Sequence, residues 1–345
     1  MKLLVSCLEP SANLHFSQVL ERLERATLCG IYGREFAKYG APAYTSDEFS
    51  AMGFAEVVPL IMKARRAIKE MVELAKDCDA VLLVDSPAFN IPLAKALKKA
   101  GVKAPITYYV LPQVWAWKRR RAKSVRAVCD NLAAIFPFEL NYWQDANFVG
   151  HPLMDEIMLR KTSYAKTGVV AFLAGSRRAE ISRLMPVFRE VAPKVDARKL
   201  LVVPSHLTSR VSEIYGDVSG FEVVCGTHEA LAKSDFAFIC SGTATLEAAL
   251  IGTPFVLCYK ARAFDVWLAR KLVHGVKHIG LANIIFDFMG KEPLNTELIQ
   301  DEVSADALLA AYENYDPFKF EKASAELRAY LGHGSADNVA RLLAN

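Results

Sequence analysis

Short, strongly apolar runs of β-forming residues alternate with helical stretches along the whole chain, and no other feature narrows its fold so far. Residues 2–8 (KLLVSCL), 80–84 (AVLLV), 105–110 (PITYYV), 132–136 (LAAIF) and 147–149 (NFV) read as strands of a first half. Residues 169–174 (VVAFLA), 199–203 (KLLVV), 221–225 (FEVVC), 235–240 (DFAFIC) and 254–258 (PFVLC) read as strands of a second. Most of these runs are apolar throughout rather than alternating, as parallel strands are when helices cover both faces of their sheet. A helix is expected from about Ser11, whose hydroxyl would cap it, and another from about Asn90 to Ala100. The predicted class is α/β, with two Rossmann-like domains facing a cleft.

A chain of 345 residues exceeds the size at which a single core usually stops growing. The polar stretch 155–168 (DEIMLRKTSYAKTG) is the expected linker. It divides a first domain, 1–160, from a second, 161–325, and the C-terminal helix at about 326–345 is expected to pack back on the first.

Composition bears mainly on what is excluded. Hydrophobic residues make up 52% and charged residues 23%, and the net charge of +4 is too small to argue for a nucleic-acid partner. The charge is clustered at one place, Lys118-Arg119-Arg120-Arg121 with Lys123 and Arg126 close behind, which is either a solvated helix face or an anion-binding element. The 7 cysteines are scattered, odd in number and free of any C-x-x-C pair, which suits a reducing compartment without disulfides or a zinc site. No apolar run approaches the roughly 18 residues of a membrane span. The apolar stretch before Cys7 is shorter than the ~7–15 residues of a signal peptide's core. The protein is therefore expected in the cytosol or on a membrane surface.

In open α/β sheets ligands bind beyond the carboxyl ends of the strands, and three segments there carry suitable chemistry. Gly175-Ser176-Arg177 follows the strand 169–174 and opens a helix. The glycine permits a tight turn, the first amides of the helix face an anion, and the arginine offers a planar fork to a diphosphate. Ser241-Gly242-Thr243 follows the strand 235–240 in the same way, with Glu247 on the first turns of the next helix, where a carboxylate accepts two ribose hydroxyls or merely favours the helix N-terminus. Asp85 closes the strand 80–84 before Ser86-Pro87. It reads either as a general base or as a turn aspartate before proline. His151, after Val149-Gly150, is either a ligand of the cleft or a satisfied core residue.

Other chemistries lack their signatures. No G-x-G-x-x-G follows the first strand, and no G-K-[ST] loop or H-E-x-x-H motif is present. Asp77-Cys78-Asp79 mimics a metal-binding D-x-D but precedes its strand, away from the ligand edge. No metal or cofactor is expected.

These same residues carry a resemblance to lipid A disaccharide synthases. Leu8-Glu9-Pro10-Ser11-Ala12-Asn13 resembles their G-E-x-S-G-D opening, and Val84-Asp85-Ser86-Pro87-Ala88-Phe89-Asn90 resembles I-D-x-P-D-F-N. Tyr109-Val110-Leu111-Pro112-Gln113-Val114-Trp115-Ala116-Trp117 is similar to Y-V-S-P-x-V-W-A-W, followed by the same basic cluster. Phe136-Pro137-Phe138-Glu139 and Val149-Gly150-His151 match L-P-F-E and I-G-H. In the second half Gly175-Ser176-Arg177 with Glu180, Ser241-Gly242-Thr243-Ala244 with Glu247, Leu281-Ala282-Asn283 and Glu297-Leu298-Ile299-Gln300 fall in the family's order. Ala12-Asn13 stands where Gly-Asp is usual, and Ala88 replaces an aspartate; both departures touch the acceptor half.

The resemblance implies a GT-B glycosyltransferase that needs no metal and inverts at the anomeric carbon. It joins UDP-2,3-diacylglucosamine to 2,3-diacylglucosamine 1-phosphate, giving a β-1,6 disaccharide and UDP. Asp85 would be the catalytic base. Gly175, Ser176, Arg177, Ser241, Gly242, Thr243, Glu247 and Asn283 would hold the UDP-sugar, and Glu9, Ser11, Asn90, Trp115 and His151 would lie on the acceptor side. It also implies attachment to the inner face of the bacterial inner membrane. A greasy segment at 49–66 (FSAMGFAEVVPLIMKARR) is the candidate for contact, with Pro59 expected to break any single long helix there. A UDP-sugar 2-epimerase of the same fold and a non-catalytic nucleotide- or lipid-binding protein are the competing readings.

Overall fold

The chain enters each of its two parallel sheets in the middle. A computed structural model describes residues 1–50, 57–262 and 275–344. They divide into one unit of residues 1–156 with 331–345 and another of 157–330.

In the first unit the strands are β1 (Lys2–Cys7), β2 (Thr27–Tyr32), β3 (Tyr44–Thr45), β4 (Ala80–Val84), β5 (Ile106–Tyr109), β6 (Asn131–Ala134) and β7 (Asn147–Phe148), in the order β3-β2-β1-β4-β5-β6-β7. All pairings are parallel. Leu3, Leu4 and Val5 on β1 and the β4 residues Val81 to Val84 are wholly buried, because helices lie on both sides of them. Each such side chain contributes roughly 1.5–3 kcal/mol relative to exposure. β2 and β3 were not legible as strands. β2 contains Gly30, at φ +117°, where an added Cβ would stand 2.3 Å from the Val5 carbonyl oxygen, so only glycine lets β2 lie this close to β1.

The Pro10–Leu20 helix corrects one expectation. Its N-cap is Glu9, with no side-chain bond, and Ser11 is an exposed residue of its first turn rather than its cap. Proline enters the helix here where its missing N–H would in any case lack an intrahelical acceptor. The same holds at Val57–Ala75, whose first turn contains Pro59 without interruption. The Ser335–Ala344 helix buries Val339, Ala340 and Leu343, packing on the Pro10–Leu20 helix and on β4 and β5. The Ser335 and Tyr109 hydroxyls are 2.7 Å apart, and Asn338 donates to the Val149 carbonyl at 2.8 Å.

In the second unit the strands are β8 (Val169–Leu173), β9 (Arg198–Val202), β10 (Glu222–Val224), β11 (Phe236–Cys240), β12 (Phe255–Tyr259) and β13 (Thr296–Ile299). Their order is β10-β9-β8-β11-β12-β13, again all parallel. Phe172 and Phe238 stack at 4.8 Å in the core beside Phe188. β13 was read only as a motif. It is a half-polar edge strand (TELI), too weakly apolar to stand out.

No helix among the described residues is long and apolar enough to cross a membrane. Of the greasy segment 49–66, residues 51–56 lie outside the described residues, Met52 and Phe54 among them. Phe49 packs edge-on against Phe89 at 5.5 Å, whereas Ile61 and Met62 are 47% and 68% exposed.

Candidate sites at the switch points of the two sheets

In the two sheets the strand order reverses between β1 and β4 and between β8 and β11. At such a point the loops leave the strand ends on opposite faces and open a crevice. Glu9 follows β1 and Asp85 follows β4. Gly175 follows β8 and Ser241 follows β11. Each candidate segment thus flanks a switch point.

In the first unit the backbone is strained at this edge. Asp85 and Ser86 are consecutive left-handed residues, at φ +49° and +43°, and Val110 at the end of β5 has φ +59°. For a β-branched residue that is a true outlier, and each such residue costs about 1–2 kcal/mol. The surroundings enforce it. Buried Asn90 donates to the carbonyls of Asp85 at 2.8 Å and Val84 at 3.1 Å and accepts the Ser6 hydroxyl at 2.6 Å. Tyr108 donates its hydroxyl to the Asp85 carbonyl at 2.7 Å, and the Asp85 amide donates to Tyr109 at 2.9 Å. The main chain of Asp85 is fixed by these bonds, and its carboxyl takes the Ser86 amide.

Burial raises the pKa of that carboxyl, and the Glu9 carboxylate raises it further. The Ser86 amide and His15 oppose the shift. Sequence reasoning missed His15. Its Nδ1 lies 2.5 Å from Glu156 Oε1, and this glutamate side chain is only 3% exposed. The two residues are 141 positions apart, so no local signal linked them.

Three residues expected on the acceptor side are buried and partnered within the protein. Asn90 is fully buried with both ends of its amide engaged, and it holds the main chain of Asp85. Trp115 is buried and donates to Glu139 at 3.3 Å. His151 is buried against Phe136, its Nδ1 accepts the Leu153 amide at 3.2 Å, and burial pushes its pKa down to about 3, which keeps it neutral. Glu139 is itself buried. It accepts the Ile135 and Phe136 amides as well as the indole, yet burial prevails and pushes its pKa up to about 7. Asn13, the departure from Gly-Asp, is equally committed: it accepts the Gly33 amide at 2.9 Å and donates to Ser46 at 2.7 Å. Glu9 and Ser11 stay exposed at the ligand edge. Asp79 accepts the Lys2 amide at 2.6 Å, so the D-x-D mimic serves the sheet.

In the second unit both predicted turns line one pocket of about 280 Å³, which includes Gly175, Ser176, Arg177, Ser241, Gly242 and Thr243. Gly175 has φ +95°, and its carbonyl accepts the Tyr215 hydroxyl at 3.1 Å. Arg177 is the N-cap of helix Arg178–Val191, and Gly242 is the N-cap of Thr243–Ile251; neither has a side-chain cap bond. The amino ends of two helices therefore border one space, and the leading amides of such ends, which lack intrahelical acceptors, favour an anion there. The Arg177 side chain is 81% exposed. It pairs with Glu180 at 2.9 Å, which offsets the one carboxylate on the pocket wall and leaves part of the guanidinium fork to solvent.

Two further residues fall outside that lining. Glu247 lies 3.6 Å from His228, a partner that sequence reasoning did not find. Asn283 is wholly buried. It donates to the Asn295 carbonyl and to Glu297, both at 2.9 Å, and accepts the Leu294 and Asn295 amides, so both ends of its side-chain amide serve the fold. A second cavity of this unit, about 1030 Å³, opens along β13 and reaches Phe236 and Phe255 at the amino ends of β11 and β12. It shares no lining residue with the pocket of the ligand turns.

Comparison with known proteins shows the family and the fold. The sequence profile of the lipid-A-disaccharide synthetase family matches residues 3–338. The chain is 51% identical over 359 aligned positions to the lipid-A-disaccharide synthase of Campylobacter jejuni (strain RM1221), covering 99% of this chain and 98% of that one. It is 45% identical to that of Helicobacter pylori (strain G27), with the same coverage. Among solved structures, MurG of Acinetobacter baumannii superposes with a TM-score of 0.59 over 99% of this chain and 98% of its own at 12% identity. UDP-GlcNAc 2-epimerase of Methanocaldococcus jannaschii superposes at 0.62 over 100% and 99%, also at 12%. Identities this low establish the shared two-domain fold and nothing finer.

Proposed function

The chain belongs to the lipid-A-disaccharide synthetase family and acts as a glycosyltransferase of lipid A biosynthesis, and within that activity we propose its substrates and the residues that serve them. The donor is UDP-2,3-diacylglucosamine, the acceptor is 2,3-diacylglucosamine 1-phosphate, and the products are the β-1,6-linked disaccharide 1-phosphate and UDP. The observation that carries the proposal is the convergence of two helix N-termini on one pocket at the β8–β11 switch point.

Ionised Asp85 takes the proton of the acceptor 6-hydroxyl as that oxygen attacks the anomeric carbon from the face opposite UDP. The new C–O bond forms as the bond to the β-phosphate oxygen breaks, and the configuration inverts. The leaving diphosphate gains charge, which the first-turn amides after Arg177 and Gly242, the Ser241 and Thr243 hydroxyls and the Arg177 guanidinium stabilise from fixed positions. Glu247 accepts the ribose hydroxyls. Glu9 and Ser11 meet the acceptor. The epimerase reading rests on fold likeness alone.

Both substrates are lipids, and the exposed Ile61 and Met62, followed by exposed Arg65 and Arg66, suit reversible attachment to an anionic membrane surface on the cytoplasmic side. The test is direct: purified protein is incubated with the two proposed substrates, and UDP and disaccharide are measured. UDP-sugar epimerisation without disaccharide, or no product at all, sinks the reading.

A further inference from the structure

The basic run 118–121 has no part in the mechanism above, yet it is built with care. The segment leading into it is anchored by buried Leu111, Val114 and Trp115. Lys118 then turns the chain in the left-handed region, at φ +49°. This turn sets the Lys118 ammonium 4.3 Å from the centre of the Trp117 ring and the Arg121 guanidinium 5.0 Å from it. Arg119 lies over Tyr142 at 5.7 Å. Among the described residues none of these three cations pairs with a carboxylate, whereas Arg126 of the same run does pair, with Asp145. Aromatic faces orient cations without neutralising them. An exposed cluster of this kind repels itself until an anion joins it, and a strained residue at its start indicates a geometry imposed for use.

The cluster also leaves the same sheet edge as the base. The segment that leads to it follows β5, whose last residue Tyr109 pairs with Val84, the residue before Asp85.

We propose that Lys118, Arg119 and Arg121 bind the phosphate monoester of the acceptor and thereby select a phosphorylated sugar for attack. The inference rests on the acceptor assigned above. A phosphate monoester carries close to two charges at neutral pH and three acceptor oxygens, which matches two guanidinium forks and one ammonium. The cations are held in direction by aromatic rings, on the segment that follows β5 from the sheet edge where Asp85 ends β4. A diffuse membrane surface requires no such placement.

The experiment compares 2,3-diacylglucosamine 1-phosphate with the same acceptor lacking its phosphate, for the wild type and for Lys118→Gln/Arg121→Gln. The double variant is expected to lose roughly ten- to hundredfold of the preference in kcat/KM, mostly through KM. Its UDP affinity and Tm should match the wild type. Arg119→Gln should act in the same direction, more weakly. Binding of both acceptors to Asp85→Asn by calorimetry needs no turnover, so it reads this site even if the wild type makes no disaccharide. An unchanged preference accompanied by lost binding to vesicles of anionic phospholipid would make the cluster a headgroup site. An unchanged preference with unchanged vesicle binding would make it a solvated face. Either result overturns the proposal.

Discussion

Asn90 donates its side-chain amide to the main-chain carbonyl of Asp85 over 2.8 Å, from a position wholly inside the protein. The asparagine is therefore the brace of the left-handed residue that carries the proposed base. Asn90→Ala should leave the Ser6 hydroxyl unpartnered and cost about 1–3 kcal/mol or more. The catalytic defect should fall in kcat while UDP affinity is retained. Thermal denaturation and titration with UDP check both, and an unaltered kcat in a folded variant would show that the brace is dispensable.

Asp85→Asn keeps size and removes the base. Turnover should drop by ~10²–10⁴-fold, as loss of a general base does, with UDP binding preserved. A variant retaining more than a tenth of the wild-type rate would take Asp85 out of that role.

The pH dependence follows from the sign of the shift at Asp85. Burial and the Glu9 carboxylate hold its pKa above the ordinary aspartate value, and a base works only when ionised. Activity should rise with pH through an acid limb lying above the range of a free aspartate. Glu9→Gln removes one of the two raising influences, so its acid limb should move down. A limb that stays in place in the pH–rate profile of Glu9→Gln would mean that Glu9 does not act on the base.

Glu139 offers a stability test independent of catalysis. Its pKa of about 7 in the folded protein lies above its unfolded value. The folded state then binds the proton more tightly, and this contribution to stability is complete below the unfolded pKa and lost as pH rises toward 7. The shift corresponds to about 3 kcal/mol. Tm should fall between pH 5 and pH 8, and Glu139→Gln, which cannot ionise, should lack this part of the decline. Parallel pH profiles of Tm for the two proteins would refute the assignment.

At the donor pocket, Arg177→Ala should weaken UDP binding, and Arg177→Lys should restore it only in part because the fork geometry is lost. The exposed pair with Glu180 contributes at most about 1 kcal/mol to stability, so Tm should barely move. Calorimetry giving equal UDP affinity for wild type and Arg177→Ala would remove the guanidinium from the site.

Local pattern carried a large part of this protein. Apolar runs long enough for one buried strand each, glycines at the turns after β8 and β11, and the spacing of the Glu9, Asp85 and Trp115 motifs are properties of adjacent residues, so the two-domain α/β class and the candidate turns were readable in the chain. Strands that lack such a signature were not: β2 is interrupted by Gly30, and the edge strand β13 is half polar. Nor does a motif say which of its members faces a ligand. Asn90, Trp115, His151 and Asn283 stand in the same motifs as exposed neighbours, and only packing shows that they are buried and that their polar groups serve the fold. The strand order was also beyond the sequence. A run of residues specifies that a strand forms, but which strands become neighbours is decided by burial among segments far apart in the chain. It is that decision which sets β1 beside β4 and β8 beside β11, so that Glu9 faces the end that holds Asp85 and the two phosphate-binding turns share one pocket.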